Sequence, residues 1–278
     1  MRSGLFLILA STCFSQSFSQ RGFLETGLSV YPQAGVGDSG RAVAGAVLNY
    51  EASYRLSSSL RFSGGIDART DTHREVERRF AISWLDRERA RPSFAVRRWS
   101  ATYTKGLLTL DLGKQFIRWG KADILNPTDR FAPRDYVNVV RNDFLAVTAA
   151  RLTVGGQSNT LELVWSPRFT PSRTPLLGQR WIIVPPPPVP VPLLVRDGGA
   201  SIPGGQQFGA RWNHIGKAAE LSLSFYEGYN HLPLIDPGLQ SRRLELYSNI
   251  RRFYPKMRMA GADAAIPLRW FAVKGEAA

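Results

Sequence analysis

Three features of the sequence predict an all-β fold built from antiparallel strands. After residue 41 most of the chain alternates apolar and polar residues with a period of two, as strands do when one face is apolar and the other polar. Turn-forming residues divide this pattern into ten segments, and the connections between the segments are alternately short and long. No apolar run reaches the roughly 18 residues that a membrane-spanning helix needs.

The first two strands show the alternation most clearly. In residues 42–55, Leu48 and Tyr50 lie on one predicted face, and Asn49 and Glu51 lie on the other. After a run of three serines the alternation resumes in residues 60–69, which predicts a hairpin. Eight further strands are predicted, at residues 93–104, 107–117, 144–154, 159–166, 207–216, 218–229, 256–265 and 268–278.

The connections between the strands differ in length. Short turns at 57–59, 105–106, 155–159, 216–217 and 266–267 alternate with long loops at 70–92, 117–143, 167–206 and 230–255. This arrangement is typical of an antiparallel membrane β-barrel with short periplasmic turns and long extracellular loops. Aromatic residues near the predicted strand ends fit the two membrane interfaces. A soluble β-sandwich is the alternative, although several loops of about twenty residues are uncommon in a compact soluble domain.

The first twenty residues have the parts of a secretory signal peptide, with a positive charge at Arg2, then an apolar run, then a small and polar end. We therefore expect residues 1–20 to be a signal peptide, residues 21–41 to be a lead-in, and residues 42–278 to form the β-barrel domain. The only cysteine, Cys13, lies in the signal, so the mature chain is expected to have no disulfide. The predicted location is the outer membrane of a Gram-negative cell.

The chain is strongly basic, with 36 Lys and Arg against 22 Asp and Glu and a net charge of +14. Nucleic-acid binding is not predicted, because the arginines are scattered singly along alternating strands rather than gathered on a basic helix. On the predicted polar faces Arg55, Arg61, Arg69, Arg151 and Arg211 outnumber Glu51, Asp67 and Glu220. If these faces line a lumen, we expect it to favour anions.

Two of the long loops have distinctive compositions. Loop 70–92 is dense in charges of both signs, which predicts a solvated extracellular loop; a receptor for a ligand or lipopolysaccharide is the alternative. Loop 167–206 has six prolines between residues 185 and 192, which indicates a stiff, extended arm or a lid.

The most specific stretch is GKQFIRWGKADILNPTDRFAPRDY, residues 113–136, where a strand passes into a loop rich in charged and turn-forming residues. It resembles the porin-like outer-membrane β-barrels of uncharacterised-domain type, distantly like alginate-export barrels, in which a GRQ..RWG-like strand end runs into an NP.D-like loop. The matching residues are Gly113, Gln115, Arg118, Trp119, Gly120, Asp123, Asn126, Pro127, Asp129, Pro133, Arg134, Asp135 and Tyr136. The resemblance implies that this loop folds inward.

An inward loop with these charges is expected to form an ion-pair network that constricts the lumen; an outer loop fixed by Pro and Asp turns is the alternative. The candidate pore-lining or constriction residues are Arg55, Arg61, Asp67, Arg69, Arg118, Lys121, Asp123, Asp129, Arg130, Arg134, Asp135 and Arg211. The residues expected to shape the turns are Trp119, Gly120, Asn126, Pro127 and Pro133.

Catalytic and metal sites are not predicted, and no cofactor is expected. The three histidines, His73, His214 and His231, have no metal-ligand spacing, and no Ser or Cys motif places a nucleophile beside one. A hydrolase that uses His214 with a distant serine is the remaining enzymatic alternative.

The final predicted strand stops at Ala278 without the terminal aromatic residue that the family resemblance leads us to expect. We therefore expect an incomplete, open sheet rather than a closed ten-stranded pore. The predicted function is a porin-like channel for passive passage of small solutes, with a plugged structural or adhesion barrel and a secreted β-sandwich binding protein as alternatives. The expected partners are outer-membrane lipid and lipopolysaccharide, the barrel-assembly machinery and small solutes.

Overall fold

A computed structural model describes residues 7–8, 17–35, 38–122, 125–182, 193–242 and 245–278. All regular elements in these ranges are strands, so the fold is all-β, as the alternation predicts. No helix in the described ranges has the length and apolarity needed to cross a membrane.

The nineteen strands vary from two to fourteen residues. They are β1 Leu7–Ile8, β2 Phe18–Val30, β3 Ala42–Arg55, β4 Leu60–Asp71, β5 Ile82–Ser83, β6 Phe94–Lys105, β7 Leu108–Gln115, β8 Arg134–Asp135, β9 Asp143–Phe144, β10 Val147–Gly155, β11 Asn159–Ser166, β12 Leu193–Ser201, β13 Gln207–Ile215, β14 Glu220–Tyr229, β15 Leu234–Asp236, β16 Leu239–Arg242, β17 Glu245–Phe253, β18 Lys256–Pro267 and β19 Ala272–Ala277.

Twelve strands form one antiparallel meander in the order β1-β2-β3-β4-β6-β7-β10-β11-β13-β14-β18-β19, and the short β5 pairs with β6. The longest ladder joins β2 and β3 from the pair Phe18 and Tyr54 to the pair Val30 and Ala42. Within the described residues β19 has no pairing with β1 or β2, so the sheet is open there and no closed barrel is present.

All ten predicted strands are present within a few residues of their expected bounds. The structure adds β2 in the segment expected to be a lead-in, and β2 begins inside the expected signal segment. Its alternation is interrupted by Gly22 and Gly27, and Phe23 lies on the polar face opposite Asn49. Pairing with β3 along its whole length, rather than local pattern, therefore defines this strand.

Two segments predicted to be long loops contain a second sheet, and the predicted proline arm at residues 185–192 lies outside the described residues. In loops 167–206 and 230–255, β12 runs parallel to β17, and β15 and β16 pair with β17 antiparallel. These partners are brought together by the tertiary fold, so periodicity within each short segment does not predict the pairing. Loop 117–143 likewise contains β8, which pairs with β9 at the end of the loop.

The main sheet buries its polar face and exposes its apolar face. Asn49, Asp67 and Ser166 on the polar face are at most 2% exposed, whereas Leu223 and Trp165 on the apolar face are 58% and 44% exposed. A soluble sheet has the opposite distribution, because burial of apolar surface drives folding in water. The hydrophobic cluster that does form lies on the polar face and consists of Ile117, Trp119, Phe131, Val147, Ala149, Val164, Tyr226 and Met259.

Candidate functional site on the polar face of the sheet

Three long loops lie against the polar face. We call residues 72–93 the first loop, residues 116–146 the motif loop, and residues 167–182, the described part of a longer connection, the third loop. Apolar anchors of the motif and third loops are at most 1% exposed: Ile117, Phe131, Val137 and Phe169. The Phe131 ring packs edge-on against Trp119 and against Tyr226 of β14, at centroid distances of 5.3 and 5.0 Å. The motif loop therefore folds back over the sheet.

Arg173 of the third loop joins the other two loops through buried ion pairs. Its Nη2 donates to Asp86 of the first loop at 2.7 Å, and its Nη1 donates to Asp135 of the motif loop at 3.0 Å. Its Nε donates to the backbone carbonyl of Glu88 at 3.2 Å. The Arg173 side chain is only 3% exposed. Planar guanidinium geometry suits this bridging, because one group donates in several fixed directions at once.

Asp86 and Asp135 each have a second cation. Lys114 of β7, itself 1% exposed, donates to Asp86 at 2.6 Å. Arg91 donates to Asp135 at 3.1 Å and to Glu75 at 3.1 Å. With Glu88, whose carboxylate lies 3.9 Å from Arg173, three cations and four carboxylates form one connected cluster, which removes most of the penalty of burying isolated charges.

The network shifts the ionisation of its carboxyl groups. Burial raises the pKa of Asp86, but the cations of Arg173 and Lys114 outweigh burial, and the net pKa lies below its ordinary value. The pKa of Asp135 is lowered in the same way, with burial opposed by Arg91 and Arg173. At Glu75 burial outweighs the attraction of Arg91 and raises the pKa. Asp86 and Asp135 are therefore anionic near neutral pH.

Asp129 shapes the start of the motif loop. It accepts hydrogen bonds from the backbone N–H groups of Trp119 at 2.5 Å and Gly120 at 3.1 Å, and from Nε of Arg118 at 3.3 Å. The indole Nε1–H of Trp119 donates to Glu162 on β11. The Asp129 carboxylate therefore links two parts of the motif loop to each other, and the Trp119 indole links the loop to the sheet.

Glu276 of β19 holds the next part of the motif loop. Its carboxylate accepts hydrogen bonds from the backbone N–H groups of Lys121 and Ala122, from Nδ2 of Asn126 at 3.2 Å and from Oγ1 of Thr128 at 3.0 Å. At the other edge of the sheet, motif-loop residue Arg141 pairs with Glu25 of β2. The loop consequently contacts strands near both edges of the open sheet.

Arg211 and Asp263 form a buried pair under the motif loop. Nη2 of Arg211 donates to both carboxylate oxygens of Asp263, at 3.0 and 2.9 Å, and to Oγ of Ser222. Nη1 of Arg211 donates to the backbone oxygen of Trp119. Lys121 lies 3.4 Å from Asp263 and 3.2 Å from Glu220. Charges on the strands and on the loop therefore neutralise one another.

A similar cluster lies on β3 and β4. Asp67 accepts hydrogen bonds from Asn49 at 2.6 Å and from Arg69 at 2.7 Å, and Arg97 approaches it at 3.7 Å. On β10, the half-buried Arg151 lies 3.6 Å from both Asp111 and Glu162. Glu51 on β3 pairs with Arg21 at 2.6 Å and with Arg98 at 3.3 Å.

The structure brings together most of the predicted site residues. Asp67 with Arg69, Arg118 with Asp129, and Lys121 with Arg211 through Asp263 form three clusters, and Asp135 belongs to the Arg173 network. Arg134 donates to Asn142 at 3.0 Å and lies over the Phe144 ring at 4.1 Å, outside these clusters. Arg130 is half-buried, and its Nε–H has no hydrogen-bond acceptor among the described residues. Asp123 lies outside the described residues.

Arg55 and Arg61 stand apart from these clusters. They face each other in register at the end of the β3–β4 hairpin, and both are exposed. The predicted turn residues lie where the loop bends: Trp119 and Pro133 are buried, and Pro127 is half-buried. A side chain at Gly120 would meet Nδ2 of Asn126 at 2.6 Å, so this position needs glycine.

Several residues of the site have no local sequence signal. Arg173, Asp86 and Arg91 lie in loops of mixed charge, where nothing distinguishes a buried arginine from a solvated one. Asp263 is the exception, because the alternation of β18 places it on the polar face. No group of His, Cys, Asp and Glu residues suited to hold a metal occurs among the described residues. No protein-family model and no curated protein matches this chain.

Proposed function

We propose that this chain forms an outer-membrane β-barrel, or a wall of one, that acts as a porin-like channel for small solutes. The observation that carries this proposal is the reversal of the two faces of the main sheet, with charges buried and large apolar side chains exposed. Lipid hydrocarbon is the solvent in which this reversal is favourable, because lipid covers the apolar face while the polar face lines an interior.

Three neighbouring strands illustrate the apolar face. Leu163 on β11, Trp212 on β13 and Leu223 on β14 are 43%, 40% and 58% exposed. A β-sandwich would bury such rows between its two sheets, since packed sheet faces lie about 10 Å apart and exclude water. The exposure of these rows therefore favours a lipid-facing wall over the secreted sandwich.

The motif loop makes the proposed channel narrow. It crosses the polar face and is fastened to β19 through Glu276 and to β2 through Arg141. A loop anchored on the wall in this way leaves space for small solutes and excludes large ones, as constrictions in pores do. The interior would be mixed in charge, because Arg69, Arg151 and Arg211 are each paired with acidic residues.

The predicted anion preference then depends on Arg55 and Arg61. These two exposed arginines lie together at one end of the polar face, where their positive potential would act on solutes that enter. We propose a weak anion preference that decreases as salt rises, because the screening length is about 10 Å at 0.1 M salt.

The test is the conductance of the chain reconstituted in planar bilayers, with Arg55→Glu/Arg61→Glu as the charge-reversed variant. We expect reproducible current steps and a reversal potential across a salt gradient that shifts toward cation preference in the variant. Asp236→Asn, at the end of β15 in the second sheet, is the control and should leave the reversal potential unchanged.

A plugged structural barrel is the second candidate, because three loops cover the polar face and their anchors are almost fully buried. Correct membrane insertion with a silent bilayer would favour the plugged barrel. Recovery of the exported chain in the soluble periplasmic fraction would instead contradict both barrel functions.

A further inference from the structure

The polar face also contains a cavity of about 370 Å³ that the ion pairs described above do not fill. It lies between β2, β3 and β4 on one side and residues 138–143 of the motif loop on the other. Its volume is at the lower end of the range for small-molecule sites, roughly 300–1,000 Å³. A solute of amino-acid size fits such a space.

Two glycines and one arginine shape the wall of this cavity. Gly27 on β2 and Gly45 on β3 are directly paired, so one rung of the ladder carries no side chains. A Cβ at Gly27 would lie 2.8 Å from Nη1 of Arg141, whose guanidinium therefore rests on the glycine backbone. A Cβ at Gly45 would have its nearest neighbour at 3.5 Å, the backbone oxygen of Thr70. A side chain at Gly45 would consequently grow into the cavity without a clash.

The charges around the cavity are balanced. Four cations and four anions line it: Arg69, Arg91, Arg97, Arg141, Glu25, Asp71, Glu75 and Asp143. A balanced lining gives little net attraction for a simple anion or cation. It favours a solute that carries both charges, because each end of the solute then finds an opposite partner.

One cation and one anion of the lining are held only loosely by the protein. Arg97 is the extra residue at a β-bulge opposite Gly65 and Ile66. Its ion pair with Asp67 is 3.7 Å long, and its guanidinium lies 5.4 Å from the centre of the Phe116 ring. Asp143 is 60% exposed, and its ion pair with Arg69 is 3.9 Å long. Among the described residues neither side chain has a hydrogen bond to another side chain. Both can therefore take a ligand at little cost to existing contacts.

We propose that this cavity binds a small zwitterionic solute of the amino-acid class, with the carboxylate on Arg97, the ammonium on Asp143, and the body of the solute over Gly45. The binding goes beyond passive passage and needs the polar face and the motif loop in place, not an open pore. A site of this kind would make the interior prefer zwitterionic solutes. A lumen with the same balance of charge but no such site would have no such preference.

The test measures binding to the refolded chain in detergent micelles by saturation-transfer NMR. The probes are L-glutamine, glutaramic acid, which lacks the amino group, and 4-aminobutyramide, which lacks the carboxylate. We expect L-glutamine to bind, and each singly charged analogue to bind about ten- to hundredfold more weakly, because each analogue loses one charge-assisted contact.

Four variants locate the site. Arg97→Gln and Asp143→Asn should each weaken glutamine binding by about tenfold or more, and Gly45→Val should abolish it by filling the cavity. Gly64→Val is the matched control: it is on the neighbouring strand with no atom within 4 Å of its Cβ, and its pairing with Ala52 places it on the apolar face. It should bind like the unmodified chain.

Two results would overturn the proposal. Equal binding of glutaramic acid and L-glutamine would show a simple anion site, and no saturation transfer to L-glutamine from the refolded chain would show no site. The chain could also bind glutamine with the expected variant pattern and yet give no conductance. That result would support the binding site and reject the channel, so the two proposals can be tested independently.

Discussion

Arg173→Met tests whether the buried ion-pair network holds the three loops on the sheet. Methionine keeps a long side chain of similar shape but removes the charge and all N–H donors. Arg173 makes three hydrogen bonds that involve buried groups, to Asp86, to Asp135 and to the Glu88 carbonyl. After the change both carboxylates remain buried, each with one cation instead of two.

The expected loss follows from these contacts. Removing one partner of a buried ion pair costs about 3–5 kcal/mol. Lys114 and Arg91 keep part of the neutralisation, so we expect about 3 kcal/mol rather than the sum of two broken pairs. In Arg173→Met with Asp135→Asn, part of the loss should return, because Lys114 then balances Asp86 and Arg91 balances Glu75.

The assay is the free energy of unfolding of the refolded chain, from urea titrations followed by tryptophan fluorescence at pH 7. Arg258→Met is the control, because the Arg258 side chain is 72% exposed and its partner Glu227, on the neighbouring strand β14, is only half-buried. The control should be indistinguishable from the unmodified chain. Equal stability of Arg173→Met and the control would refute the role assigned to the network.

Further expectations concern the third loop and the motif loop. His231 is buried against Phe169, and its Nδ1 lies 2.6 Å from the Thr170 oxygen; burial lowers its pKa from 6.5 to about 4. Because the folded state keeps this histidine neutral, its contribution to the free energy of unfolding is complete above pH 6.5 and falls by about 3 kcal/mol as the pH drops toward 4. Urea titrations at several pH values should show this dependence of stability on pH. His231→Phe should reduce the dependence. In Gly209→Val, a Cβ would lie 2.5 Å from both Phe131 and Trp119, so we expect faster proteolysis of the motif loop with unchanged strand content by circular dichroism. Unchanged proteolysis in that variant would contradict the docking of the loop.

The sequence predicts the long strands well because each of them has one apolar and one polar face, so apolar and polar residues alternate along the chain. Asn49 and Asp67 alternate with apolar neighbours along β3 and β4, and that period is a local property of the chain. β2 was not predicted, because Gly27 and Phe23 weaken its pattern and its definition comes from pairing with β3. The parallel pairing of β12 with β17 has no local signature for the same reason.

The site could be predicted only in part. The sequence indicates Trp119 and Asp129 as motif residues, because turn-forming residues and charges cluster there. Their buried partners Glu162 and Glu276 are distant in sequence, and only the tertiary fold brings them together. Arg173 was missed because a turn-rich segment gives no sign of which arginine will be buried. Ion pairing between loops is a property of the fold rather than of spacing.

The central claim is that the apolar face of the main sheet contacts lipid hydrocarbon. The most direct measurement places single nitroxide labels on cysteines introduced one at a time along β14 of the mature chain, and records their collisions with oxygen and with a water-soluble nickel complex in lipid vesicles. Labels at Leu221, Leu223 and Phe225 should collide with oxygen, and those at Ser222 and Ser224 should not, giving a period of two. Equal accessibility to the nickel complex at all five positions would contradict the claim.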